Sequence, residues 1–448
     1  MTLLLLLPGA GVAGPEMRVT KMGIEILSSG APGGEMRVTK FGVEILALES
    51  VVGDMEPLDL PDIVPEFFIS NWVTQVQLES DWLTAIGQSR TLHEERWALT
   101  DRPYRRQQIK FSALSQKETQ RLQQQLYRMA GSRSLVPLYC DVSRVTDITG
   151  AVVTCDTQNR RFFPNQRVLL ARLSRGVIVE WELGLTISVT STTLTLDASP
   201  GVSYTRVYPL LDVEVAQTFK TKSLTRDTME VDAEFFEVEG FSAFPAQLSE
   251  AGLTKYFDWF VLDIRPNRES ALEETISHPA TVTESGRSSL VLPRGEYAAA
   301  TISWNFTFLN RANFWRLARF FDIHRGRARA FFAPVDRNEL TVVSLTSSYM
   351  DIQPYGVFED AEKLIKFVAL DYEIVKVESI TDNTTSWRVT FAKAAVNTSP
   401  KRVCRASKFR FDQSSLTEEW RSPEICSVNL NAVEIRRDEV LDVGNLPG

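Results

Sequence analysis

Histidine is nearly absent: His93, His278 and His324 are the three in 448 residues. A histidine-dependent catalytic triad or a His-rich metal site therefore has little to draw on. Cysteine is also scarce. Cys140, Cys155, Cys404 and Cys426 form no CxxC pair, and none has a histidine at short spacing. A zinc site is not expected, and the four read as buried or half-buried thiols in a protein assembled in a reducing cytoplasm. The sequence contains no GxxxxGK[ST] and no GxSxG, so no P-loop phosphate cradle or nucleophile elbow is expected. Positive charge is not in surplus: 49 Lys and Arg against 57 Asp and Glu give a net charge of −8. That balance argues against a general nucleic-acid binder and against an anionic membrane surface as partner. No stretch approaches 18 apolar residues, so no membrane span is expected. The leucine run Leu3 to Leu7 is short for a signal peptide and has no preceding Lys or Arg, so residues 1–15 read as an extended apolar arm.

What is present is large apolar side chains and repetition. A 44% hydrophobic fraction, with 25 Phe and 9 Trp, supports two or three well-packed domains or large interfaces. Residues 16–27 (EMRVTKMGIEIL) recur at 35–46 (EMRVTKFGVEIL), with ten of twelve positions identical. Each copy ends in apolar alternation, Ile24 and Ile26 around Glu25, Val43 and Ile45 around Glu44, which is strand periodicity. Two strands cannot bury a core by themselves, so this element must dock elsewhere.

A longer repeat relates the stretch 107–142 to the stretch 301–336, the aligned positions being 195 residues apart. Aligning Leu114 with Leu309 brings Asp141 onto Asp336 without a gap. Each copy begins with a strand pattern, Ile109 and Phe111 or Ile302 to Phe308. A helix pattern follows, with stripes Leu122, Leu126, Met129 and Phe314, Leu317, Phe321. Ser115 with Glu118 makes a capping box and Asn310 an N-cap; Gly131 and Gly326 suit the C-terminal stop. A strand ending at Asp141 or Asp336 completes each copy, and about a hundred residues of alternating strand pattern come next. The expected class is mainly β with one packed helix per repeat: an N-terminal arm at 1–56, a first domain at 57–240 with a β insertion near 145–205, and a second at 241–448 with an insertion near 340–405.

Residues suited to chemistry are few. His324, in Asp322-Ile-His-Arg, reads as a helix C-terminal cap rather than a catalyst. Acidic pairs such as Glu94-Glu95 read as solvated surface. The arginines from Arg311 to Arg329 read as a solvated helix face plus inter-subunit salt bridges, with an anion or DNA contact inside a channel as the alternative. No catalytic residue, cofactor or metal ligand is assigned, and the chain is not expected to be an enzyme. The candidate oligomer-interface residues are Arg18, Val19, Arg37, Val38, Arg133, Asp141, Arg327 and Asp336.

The RVTxxGxEIL element at 18–27 and 37–46 resembles a short β element of tailed-bacteriophage virion proteins. The strand–helix–Gly–strand unit at 109–141 and 302–336, with an Arg close after the glycine (Arg133, Arg327), resembles phage minor tail proteins that share the tail-tube fold. The resemblance implies two tandem tube-like β-sandwich or barrel domains in a structural ring protein of the distal-tail or baseplate type. It further implies residence in the virion tail, after assembly in the host cytoplasm, and self-association, as a trimer or hexamer, together with other tail proteins. A baseplate hub or a neck or tail-terminator protein would fit the same features. A receptor- or carbohydrate-binding adhesin is the reading from another class, with Trp181 and Trp387 as exposed aromatics for sugar.

Overall fold

The computed structural model describes residues 76–88 and 94–435, apart from 101, 175–176, 217, 226–227, 239–249, 251, 257–258, 268–272, 278–279, 286–287, 294–298 and 359–364, together with short strands before residue 46. The chain divides into two units, Met1–Val64 and Pro65–Gly448.

In the first unit each short repeat is a hairpin, where the sequence suggested a single strand. Glu16–Thr20 pairs antiparallel with Gly23–Leu27, and Met36–Thr39 pairs with Gly42–Ile45. The registers match: Arg18 lies opposite Glu25 and Val19 opposite Ile24, as Arg37 lies opposite Glu44 and Val38 opposite Val43. Leu4–Leu5 adds to the first hairpin.

The second unit is mainly β and carries the same topology twice. The first half contains β1 (Val76–Asp81), the hairpin β2 (Thr84–Gln88) and β3 (Glu94–Ala98), β4 (Tyr104–Ala113), α1 (Gln116–Met129) and β5 (Arg133–Pro137). Next come β6 (Ser143–Thr149), β7 (Val152–Cys155), β8 (Arg167–Ser174), β9 (Val177–Val189) and β10 (Thr193–Leu196), which form the insertion. The half closes with β11 (Arg206–Val215), β12 (Lys220–Ser223) and β13 (Met229–Glu237).

After a short hairpin at Lys255–Tyr256 and Trp259–Phe260, the second half repeats this order. It has β14 (Glu273–Ser277), the hairpin β15 (Ala280–Ser285) and β16 (Ser288–Pro293), β17 (Ala299–Phe308), α2 (Arg311–Ile323) and β18 (Ala330–Glu339). Its insertion is β19 (Val342–Leu345), β20 (Tyr349–Ile352), β21 (Phe367–Leu370), β22 (Glu373–Asp382) and β23 (Trp387–Phe391). Its last strands are β24 (Val403–Phe411), β25 (Ser415–Ser422) and β26 (Ile425–Glu434).

The pairings match strand for strand. β13 lies between β4 on one edge and β12 and β11 on the other, as β26 lies between β17 and then β25 and β24. β11 carries β5 and β8; β24 carries β18 and β21. Inside the insertions β6·β7, β7·β10, β8·β9 and β9·β10 correspond to β19·β20, β20·β23, β21·β22 and β22·β23.

Period-two burial explains why these segments are strands. Ile109, Phe111 and Ala113 of β4 are buried, as are Ile302, Trp304, Phe306 and Phe308 of β17. Each insertion has its own core, Val153, Val168, Leu170 and Leu194 in the first, Met350, Ile352, Val368 and Val389 in the second. Trp387 belongs to the latter core at 3% exposure, so it is not a surface aromatic; burial against Phe358 and Tyr355 holds it there.

Both helices start as their caps require. The Glu118 N–H donates to Ser115 Oγ (3.3 Å) and the Leu114 N–H to Glu118 Oε2 (2.9 Å); the Ala312 N–H donates to Asn310 Oδ1 (2.6 Å). α1 stops at Gly131 in the left-handed region. After α2 two successive residues, Arg325 and Gly326, are left-handed. Gly326 is required there for another reason: a Cβ would lie 2.8 Å from the Ser414 carbonyl oxygen.

Candidate assembly interface

The two halves meet edge to edge. β1 of the first half pairs on one side with β4 and on the other with β25 of the second half, from Trp420 opposite Val76 to Ser415 opposite Asp81. The Trp82 N–H donates to the Ser414 carbonyl (3.0 Å) and extends the joint by one residue. One sheet thus runs β14·β17·β26·β25·β1·β4·β13·β12 across both halves.

Beside this joint lies a buried ion network with members from both halves. Asp141, fully buried, accepts from Arg161 Nη1 (3.0 Å) and from Arg311 Nη2. Arg161 also donates to Glu418, and Glu418 accepts from Trp420 Nε1 (2.9 Å). Arg311 also donates to the carbonyls of Cys140 (2.8 Å), Asn159 (3.1 Å) and Pro423, and its guanidinium lies 4.6 Å from the Trp420 ring centre. Arg160 links the Val142 carbonyl (2.8 Å) to Glu424 (2.8 Å). Trp82 Nε1 donates to Asp322 Oδ1 at 3.0 Å.

Burial opposes charge on Asp141, but Arg311 and Arg161 outweigh it and hold its carboxyl below the ordinary value. Burial also opposes the charge of Arg161, yet Glu418 and Asp141 raise it above the ordinary guanidinium range. Glu418 is pushed up by burial despite Arg161. Burial of ions is costly unless every partner is present, so Asp141, Arg161, Arg311 and Glu418 depend on one another across the two halves.

Comparison with known proteins returns no matching family model and no matching curated protein. Among the described residues no group of three or more His, Cys, Asp or Glu is placed to hold a metal ion, and no helix is long and apolar enough to cross a membrane.

Of the sequence-derived interface residues, Asp141 lies at this internal seam. Arg133 pairs within the first half, donating to both carboxylate oxygens of Asp212 (2.7 and 2.9 Å). Arg327 is half-buried, and its carbonyl accepts from Arg96 Nη1. Asp336 occupies the β18 position that corresponds to Asp141, and its side chain lies outside the described residues. Arg18, Val19, Arg37 and Val38 lie on the first strands of the two N-terminal hairpins, and their side chains also lie outside the described residues.

The expectation of a solvated arginine face on α2 fails at Arg311, which is 5% exposed and used within the chain. His324 does cap the helix, with Nδ1 2.6 Å from the Phe320 carbonyl, but as a buried neutral ring: burial lowers it to about 4, among Phe260, Phe320 and Phe331. Sequence reasoning missed Arg161, Glu418, Trp420 and Trp82. The available signal was Glu418 sitting between Leu416 and Trp420 on the buried face of an alternating strand. All four cysteines are free and buried.

Proposed function

We propose that this chain is a structural, non-enzymatic component of a tailed-phage virion: a ring-forming tail or baseplate protein of the distal-tail type that binds copies of itself and other tail proteins. The observation that carries this reading is a duplicated sheet-plus-helix module whose two copies are joined edge to edge inside one polypeptide. A module that continues its sheet into a like module suits a closed assembly, because closure removes exposed strand edges. The N-terminal hairpins add short repeated elements resembling those of virion proteins.

The hub and neck or terminator readings share this support. The adhesin reading keeps one observation: Val179, Trp181, Leu185 and Ile187 on alternate positions of β9 are 38–56% exposed. Two measurements separate the readings. Labelling of the chain in purified virions, imaged by electron microscopy, is expected to mark a tail or baseplate ring; label absent from particles would overturn the virion assignment. Glycan-array binding is expected to be blank, and saturable binding lost in Trp181→Ala would favour the adhesin.

A further inference from the structure

The internal joint supplies a template for an external one. In the duplicated topology β12 stands to β13 as β25 stands to β26, and β14 stands to β17 as β1 stands to β4. β25 receives β1. Among the described residues β12 pairs with β13 alone and β14 with β17 alone, so each keeps one unpaired edge. We infer that β12 of one copy of this chain pairs antiparallel with β14 of a second copy, in the register of the internal joint. This rests on the self-association in the proposed function and names the strands that perform it.

The register follows from the pairings. Met229 lies opposite Ala113 as Cys426 lies opposite Phe308, and these partners are matched positions of β4 and β17. Ser223 and Lys222 therefore match Trp420 and Glu419. On the other strand Gln77 lies opposite Gln108 as Glu273 lies opposite Ser303, again matched positions. The internal pairs Glu419 with Gln77, Thr417 with Glu79 and Leu416 with Ser80 become Lys222 with Glu273, Lys220 with Thr275 and Phe219 with Ile276.

Three features fit this pairing. First, the charges are complementary: β12 reads KTKS and β14 reads EETIS, and an opposite-charge pair directly across an antiparallel ladder is stabilising. Lys220 and Lys222 are exposed and make no ion pair among the described residues. Second, Ile276 is 69% exposed on a strand, and the matched internal position, Ser80, is buried by the joint. Third, the helix position covered by Trp82 in the internal joint is Asp322. Its α1 counterpart, Tyr127, is 88% exposed. A pairing of this head-to-tail kind uses two different edges of each chain, so it propagates until it closes into a ring or extends as a filament.

The test uses the full chain, with oligomer mass read by mass photometry and native mass spectrometry across concentration. Glu273→Lys places like charges opposite one another across the joint and is expected to raise the concentration for half-assembly about tenfold; Lys222→Glu does the same and also faces Glu230 of its own chain, so its effect on assembly is read against its folded stability. The double variant Lys222→Glu with Glu273→Lys is expected to restore it. Lys220→Cys with Thr275→Cys is expected to give disulfide-linked multimers on oxidation. Circular dichroism of each variant confirms folding. Assembly that ignores the charge variants and gives no cross-link would overturn the β12·β14 pairing and leave self-association standing. A wild-type chain that stays monomeric, with no cross-link at any concentration, would overturn both.

Discussion

The two helices occupy the same place in the two halves and have opposite surroundings. α2 buries Phe314, Leu317, Ala318, Phe320, Phe321, Ile323 and even Arg311, whereas α1 buries Leu122 and Gln125. The topology around them is the same, so the difference comes from what has been laid beside each. β1, Trp82, Asp141 and Arg161 of the first half cover the α2 side of the second. No described element covers the corresponding side of α1. The composition follows: aromatic and apolar where a joint is made inside the chain, Gln- and charge-rich with an exposed Tyr127 where the matched surface is open.

The largest effects should separate the covered half from the open one. Arg311→Ala leaves Asp141 buried against Arg161 alone and is expected to cost about 3–5 kcal/mol in denaturant unfolding. Arg388→Ala, which removes the pair of the exposed Arg388 with Asp351 in the second insertion, should shift the midpoint less, because Asp351 keeps Ser344 and nearby solvent. Phe321→Ala in α2 is expected to cost about 3–5 kcal/mol, and Leu126→Ala, its half-buried counterpart in α1, about 1–2 kcal/mol. Equal losses at these two positions would break the comparison.

A smaller effect is expected from pH. Burial raises Asp322 from 3.8 to about 6, against the hydrogen bond from Trp82, so its contribution is full below pH 3.8 and is lost as pH rises through 6. Burial lowers His324 from 6.5 to about 4, so its contribution is full above pH 6.5 and is lost as pH falls through 4. The two oppose each other between pH 4 and 6.5. Asp322→Asn removes one side, and its stability should fall steadily with acidification, by about 3 kcal/mol over that window. A pH profile parallel to that of the wild type would contradict the assignment. The smallest effect is at the caps: Ser115→Ala and Asn310→Ala should each cost about 1 kcal/mol, similar in both halves because each cap is a local hydrogen bond.

That locality also explains what the sequence made legible. The mainly-β class, both N-caps and the matched 27-residue spacing from Leu114 to Asp141 and Leu309 to Asp336 are short-range signals. The β1·β25 joint spans more than 330 residues of chain, and alternation in a strand does not say which edge its neighbour will use. Arg311 looked solvated because helical spacing cannot show that Cys140, Asn159 and Pro423 turn their carbonyls toward it. Trp387 looked exposed for the same reason, since the residues that bury it come from segments folded over it. Gly326 holds the positive φ that its place after α2 suggested and also passes Ser414 too closely for a Cβ, while Arg325 adds a second left-handed residue that no short-range signal announced.

The most direct measurement is the mass of the purified 50.5 kDa chain, combined with class averages of the same particles by electron microscopy. The expected result is a closed particle of several chains whose images show twice as many similar lobes as chains, each lobe one half of the second unit. Particles holding a single chain at all concentrations, or oligomers whose lobes equal the chains in number, would contradict the account.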